Sequence, residues 1–224
     1  MGKDLTSHIR ALAGIDGTIP HTIHSPESLH DDFLTDDVRI SIDGDEITVG
    51  YVTHDPEPRD YFADDEGAGE FRTFRRGDDP NEIMDGIIEG GRIAFFVERY
   101  SHGLDHYSVA ATGGYPDHQW DVGVCGIIIP CEDVQETYRQ AVAEDGEAAA
   151  RKAAIQDVNH TLDEYSKVCN GETYGACVEK WRVEGQHVRA VNHMSTWGLV
   201  GSDHAIETLK EMLPEEPSTP DMSL

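Results

Sequence analysis

RIAFFVERY (92–100), SHGLDHYSVAATGGYPDHQWD (101–121) and VGVCGIIIP (122–130) follow one another near the middle of the 224-residue chain. Two apolar runs, rich in Val, Ile and Phe, bracket a polar segment. That segment holds three of the twelve histidines (His102, His106 and His118) together with Asp105, Asp117, Asp121 and Trp120. Residues 92–99 and 122–129 are apolar on both faces, as strands inside a sheet are, and 106–111 reads as a third strand between them. The polar stretch they frame is where side chains with chemical potential gather.

Upstream, VRISI and ITVGYV flank Asp43-Gly44-Asp45, a tight turn, so residues 38–52 read as a β-hairpin. A long acidic segment with Pro56, Pro58, Gly67 and Gly69 follows and reads as a loop, then a short strand over 71–74. Asp79 is placed as an N-cap, with Pro80 at the first helical position and Glu82 as in a capping box. Ile83, Met84, Ile87 and Ile88 then form one stripe ahead of Gly90-Gly91, which predicts a core-facing helix over 80–89.

Downstream, Pro130 opens a helix that carries Val134, Tyr138 and Ala141 on one face. The longest helix is predicted over 146–170, capped by Asp145 and closed by Gly171. Its stripe is Ile155, Val158, Leu162, Tyr165 and Cys169, with Glu147/Arg151 and Asp163/Lys167 pairing outside and Asn159 and His160 in solvent. Residues 173–183 and 187–191 read as a second hairpin. A last helix starts at Ser202 or Asp203, turns Ile206, Leu209 and Leu213 inward, and stops before Pro214. Mixed order with hairpins predicts an α+β fold, a mainly antiparallel sheet with one long and several short helices packed on it. The expected organisation is an N-terminal arm over 1–37, a single domain over 38–213 and a disordered acidic tail over 214–224.

Composition limits the partners. With 17 basic against 44 acidic residues the net charge is −27, lysine is scarce and the mean hydropathy is −0.49. Such a surface suits concentrated salt, where the screening length falls to about 3 Å and self-repulsion is largely removed. Direct nucleic-acid binding is not expected, because Arg72, Arg75 and Arg76 are too small a cluster to track phosphates. No apolar run approaches the ~20 residues of a membrane span, and a soluble, intracellular protein is expected. Cys125, Cys131, Cys169 and Cys177 lack CxxC spacing, so reduced thiols are expected, with a four-cysteine zinc site as the alternative.

The chemistry-bearing candidates are few. His102 and His106 are four apart and, on one strand, would face the same way. With His118 or Asp121 they would make a three-ligand site for a divalent transition metal, suited to metal-assisted hydrolysis. Cys125 lies in an apolar run, which favours an inert thiol. No GxSxG, GxxxxGK[ST] or GxGxxG occurs. Trp120-Asp121-x-Gly123 and Gly171-Glu172-x-Tyr174-Gly175 read as glycine-dependent strand entries, and their convergence beside Tyr165 is the functional alternative.

The ordered motifs DPEPRDY (55–61), SHGLDHYSVA (101–110), QWDVGVCGII (119–128), LDEYSKVCNGETYGACV (162–178) and STWGLVGSDHAIETL (195–209) resemble a widespread family of uncharacterised proteins of tailed bacteriophages and related archaeal viruses. The resemblance spans residues 55–213 and points to His102, Trp120, Asp121, Gly123, Tyr165, Gly171, Tyr174, Gly175, Trp197 and Gly198. The chain departs from the family pattern at Val122 and Val124, where that pattern has Ser and Gln, and at Gly103-Leu104, where it has Ser-Gly. What the resemblance implies is viral origin and a shared fold rather than a mechanism. The expectation is a non-structural accessory protein of a halophilic virus or provirus that binds a host or viral protein. The alternatives are a small metal-dependent hydrolase, with His102, Asp121, Tyr165 and Tyr174 as catalytic candidates, and a minor virion component.

Overall fold

The computed structural model describes residues 39–43, 45–58, 60–64, 66–115, 121–184 and 187–213. The arm expected over 1–37 and the tail over 214–224 lie outside them. The fold is α+β with two antiparallel sheets. Where one domain is expected over 38–213, the chain divides into two compact units, residues 58–171 and the residues on either side of them. The physical reason is that each sheet has its own helical cover and its own apolar cluster.

The first unit is built from β1 (Arg39–Asp43), β2 (Glu46–His54), β7 (Thr173–Glu184), β8 (His187–Val200) and a closing helix, α5 (Ser202–Met212). Its sheet order is β1-β2-β7-β8, so both predicted hairpins form and then pair through β2 and β7, with Tyr51 opposite Cys177. Alternation separates the two faces of this sheet. Val52, Ala176 and Val178 pack with Ala205 and Leu209 of α5. Gly50 is part of that fit, because a Cβ there would meet Leu213 Cδ2 at 3.0 Å. Ile47, Val49, Tyr51, Cys177, Glu179 and Trp181 are buried at alternate positions along the same two strands.

The second unit is inserted between β2 and β7. It contains a one-turn helix α1 (Tyr61–Asp64), a 3-10 turn over Glu66–Ala68, β3 (Glu70–Thr73), α2 (Pro80–Glu89), β4 (Phe95–Ser101), β5 (Asp105–Val109), β6 (Val122–Ile129), α3 (Glu132–Asp145) and α4 (Glu147–Cys169). Its sheet order is β3-β6-β4-β5, which makes the two apolar runs of the quoted stretch the inner strands. The Asp79 cap is confirmed: its Oδ1 accepts from Asn81 N at 2.9 Å and Glu82 N at 3.3 Å, an arrangement worth about 1 kcal/mol. Met84 of α2 packs on one face of the sheet with Ala94, Ile127 and Ile129. Ala154, Val158 and Leu162 of α4 pack on the other with Phe95, Val97, Val109 and Ile128.

Helix α4 also closes an edge of the sheet. Strand β5 is an edge strand, and its outward N–H groups need partners. Asn170 Oδ1 accepts from Asp105 N at 2.9 Å, Ser166 Oγ from Tyr107 N at 2.9 Å and Asn159 Oδ1 from Val109 N at 2.8 Å, while Asn170 Nδ2 donates to Asp105 O at 2.8 Å. Asn159, expected in solvent, is therefore a structural ligand of the edge. The predicted stripe shifts accordingly, with Ala150, Ala154, Val158, Leu162 and Ser166 buried. Small residues let the helix lie close to the strand. Two predicted caps are corrected: Gly146 and Gly201, at φ 87° and 82°, occupy the N-cap positions of α4 and α5, and neither helix has a side-chain cap.

Candidate functional site

In the second unit the candidate residues collect around Tyr100. Strands β4 and β5 form a hairpin in which Tyr100 lies opposite His106 and Ser101 opposite Asp105, so His102, Gly103 and Leu104 make the turn. Gly103 has φ 88°, a left-handed conformation that favours glycine. The His102 N–H donates to Leu104 O at 3.2 Å and the Ser101 N–H to Asp121 O at 3.0 Å, which brings the start of β6 alongside the turn. His102 Nδ1 then lies 3.1 Å from Asp121 Oδ2. The chain reverses between His102 and His106, so they do not follow the spacing of one strand. Each packs instead near Tyr100, with ring centroids at 6.1 and 6.2 Å and interplanar angles of 6° and 24°.

A fourth ring completes the row. Tyr115 stacks on Tyr100 at 4.9 Å and 13°. Its position depends on Gly113, where a Cβ would fall 2.1 Å from Tyr115 Cε2. It depends as well on Glu98, a buried acid inside β4, whose Oε2 accepts from Ala111 N at 3.1 Å and whose Oε1 lies 3.5 Å from Ser108 Oγ. Ala111 is the one non-glycine residue at positive φ among the described residues, at 66°. Burial raises the Tyr115 hydroxyl above its ordinary pKa, partly opposed by its hydrogen bond with Ser108. Leu104 and Val124 stand exposed on this unit. On the hairpin, Arg99 Nε donates to Asp105 Oδ1 at 2.9 Å, and hydrogen bonds from Ser101 and Arg99 lower the Asp105 carboxyl.

The expected metal set does not assemble among the described residues. No group of three His, Cys, Asp or Glu there could hold an ion. His118 and Trp120 lie outside the described residues, and His102, His106 and Asp121 supply one paired contact rather than three convergent ligands. All four cysteines are free, and Cys177 is buried in β7 of the other unit from Cys125, Cys131 and Cys169. Burial pushes the Cys125 and Cys177 thiols up to about 11, as expected for inert buried sulfur.

Tyr165 belongs to an aromatic core of the second unit with Phe62, Phe71 and Tyr107, at centroid distances of 4.9, 5.5 and 4.8 Å. The acidic segment read as a loop contributes to it, since Phe62 comes from α1 and the neighbouring Tyr61 hydroxyl donates to Glu164 Oε2 at 2.7 Å. Burial raises Tyr165 well above the ordinary phenol range and Tyr107 to about 12, with Cys169 adding to both. These hydroxyls are packing elements and are poorly suited to proton transfer near neutrality. A cavity of ≈ 280 Å³ in this unit is lined by Ile128, Val158, Asp157, His160 and Thr161; of the predicted site residues Cys131 alone reaches it.

The remaining motif residues form a separate constellation in the first unit. Tyr174 packs tilted against His54, with ring centroids 4.8 Å apart at 34°, and burial raises its hydroxyl. Gly175 seats the Trp197 indole, because a Cβ there would lie 2.3 Å from Trp197 Cε3. Trp197 Nε1 donates to Ser195 Oγ at 3.1 Å, and the Gly198 N–H, at φ 78°, donates to Asp55 Oδ2 at 3.1 Å. The Asp-Pro, Tyr-Gly and Trp-Gly motifs are thus one built structure. Thr173 Oγ1 is buried nearby in the chain and finds no hydrogen-bond partner among the described residues.

Sequence reasoning passes over Tyr100, Tyr115 and Glu98. The available signal is Glu98 itself, an acid in the middle of AFFVERY, since a charge inside a buried strand must have donors waiting for it. Comparison with protein-family models, with curated proteins and with solved structures finds no match to the chain. No helix among the described residues is long and apolar enough to cross a membrane.

Proposed function

We propose that the protein is a non-structural accessory protein of a halophilic virus or provirus, working in the host cytoplasm at high salt by holding a host or viral protein on the Tyr100 face. The observation that carries the reading is the row of near-parallel rings on one sheet, Tyr100 with His102, His106 and Tyr115. Rings held by a braced hairpin, with exposed Leu104 and Val124 on the same unit and a His–Asp pair beside them, have the make-up of a protein-recognition patch. The viral origin is supported by the ordered motifs, and the saline setting by the charge of −27. The metal-dependent hydrolase is favoured by one contact, His102 to Asp121.

The test is retention of host proteins from a lysate in molar salt by the wild-type chain and by Tyr100→Ala/His102→Ala. The expected result is a protein held by the wild type, lost with the variant and recovered in the reciprocal capture, while circular dichroism and melting are unchanged. Equal retention by the variant overturns the assignment of this face. About one equivalent of a transition metal in the purified protein, lost in His102→Ala, overturns the reading in favour of the hydrolase.

A further inference from the structure

The geometry points to a self-association surface on the first unit: the outer edge of β8, which pairs with β8 of a second copy across a two-fold axis through Met194. Among the described residues, strand β8 ends the sheet order and is bonded to β7 on one side only, so the backbone groups of its outer edge are available to a strand. Its residues 191–198 are all exposed, and among them Val191, Met194 and Trp197 are large apolar side chains left 48%, 41% and 43% accessible.

Charge singles out the same strand. Acidic residues are 44 of 224, about one in five, yet Gly185 to Ser202, 18 residues, contain none, and this is the longest such run in the chain. A buried strand would lack acids for packing reasons. This one is exposed, so the absence needs another cause. Two copies that each carry −27 can approach only where neither presents carboxylates, and β8 is such a seam.

The spacing supplies the second copy as the occupant. Register irregularities lie between the Lys180 and Trp181 pairs and between the Tyr174 and Ala176 pairs, which leaves Asn192 to Thr196 as a regular segment centred on Met194. A two-fold axis at Met194 sets residue i against residue 388 − i of the other chain. Met194 then meets Met194 of the second copy, and Val191 meets its Trp197. His193 meets Ser195 and Asn192 meets Thr196, with no like charges opposed. Such self-complementarity is what an isologous interface demands, and it would join the two four-stranded sheets into one of eight.

The test is sedimentation of the full chain in molar salt over a dilution series. The wild type is expected at twice the 24.8 kDa chain mass. Met194→Glu, which opposes two carboxylates at the axis, is expected to weaken the dimer about tenfold or more with unchanged circular dichroism. Met194→Cys serves as the second variant, since it should fold normally and cross-link between copies under mild oxidation when the axis passes through this residue; the wild type, whose exposed thiol is Cys169, is the control. A wild type that stays monomeric throughout, a Met194→Glu variant as dimeric as the wild type, or a dimer that Met194→Cys does not cross-link would each overturn the proposal.

Discussion

Gly175→Ala tests the seat of Trp197 most directly. A Cβ at position 175 would lie 2.3 Å from Trp197 Cε3, 2.4 Å from Cζ3 and 2.8 Å from Cδ2, so backbone and indole cannot both keep their places. The strand is held by Thr53 of β2 opposite Gly175 and by pairs to β8 at Tyr174 and Ala176, whereas the indole is 43% exposed, so the ring is the part that leaves. The cost is bounded by what the ring buries. A fully enclosed indole removes on the order of 200 Å² from water. A little over half of that is at stake here, about 3 kcal/mol at ~25 cal/mol per Å². The displaced ring keeps part of its contact elsewhere, so about 1–3 kcal/mol is expected, within the ordinary range for overpacking. The assay is denaturant unfolding at fixed protein concentration for Gly175→Ala, Trp197→Ala and the double variant, with tryptophan emission as a second readout. Gly175→Ala should shift the emission to the red, and it should cost far less when Trp197 is already absent. Additive losses, or an unchanged midpoint and spectrum in the single variant, would refute the seat.

Asn170→Ala removes two hydrogen bonds to the Asp105 backbone and should cost about 1–2 kcal/mol, since water can reach this end of the edge; faster hydrogen exchange at the Asp105 amide, with Val109 less affected, would locate the loss. Thiol labelling of the native protein at mildly alkaline pH should find Cys169 first, with Cys177 last because it is buried and its thiol is pushed up to about 11. The same shifts carry a pH signature. Cys125 and Cys177 bind their protons more tightly folded than unfolded, so the stability they contribute is intact below about pH 9 and drains away as pH rises toward 11. Unfolding midpoints that stay level across that interval, once the cysteines are compared with Ser variants, would count against it. Dialysis from molar to low salt, which lengthens screening from about 3 Å to 10 Å or more, should lower the melting temperature of a chain with net charge −27; an unchanged melt would sink the salt-adaptation account.

The elements most legible in sequence are those in which one local rule decides the outcome. Helix α2 is found from its Asp79 cap and Gly-Gly end, and β6 from its unbroken apolar run. The division into two sheets was hidden, because β2 and β7 are separated by the whole inserted unit and nothing in either strand's alternation names its partner. Strand β8 runs on to Val200, past the 187–191 that its residues predict. STWGLV follows no period because the bulge near Trp197 and the left-handed Gly198 interrupt it, and the Asp55 carboxylate that accepts from the Gly198 N–H lies far away in the chain. The role of Asn159 was out of reach for a similar reason: a polar residue beside an apolar stripe looks solvated until the strand edge it serves is placed against it. At the candidate site, His102 and Asp121 are grouped in the sequence as metal co-ligands and lie as a hydrogen-bonded pair, while the separation of His102 from His106 turns on a hairpin reversal at Gly103-Leu104 that strand periodicity cannot express.

Two acids among the described residues are placed where salt adaptation cannot explain them. Glu98 and Glu179 are 3% and 4% exposed, each in the middle of a strand with paired neighbours on both sides. An ionised carboxylate only accepts hydrogen bonds, so burying one is tolerable only if donors converge on it. Glu179 takes the Tyr51 hydroxyl at 2.9 Å and Trp181 Nε1 at 3.1 Å, donors from β2 and from its own strand. A one-residue slip between β2 and β7 would move Tyr51 to the opposite face of its strand relative to Glu179, so the acid makes the wrong register expensive. It contributes specificity of pairing more than net stability. Glu98 acts in the same way on the other sheet. By holding Ala111 N it fixes the left-handed residue that turns the chain out of β5, and the turn in turn delivers Tyr115 through the space left at Gly113 onto Tyr100. The acid that interrupts AFFVERY is therefore the buried group on which the geometry of the ring row depends.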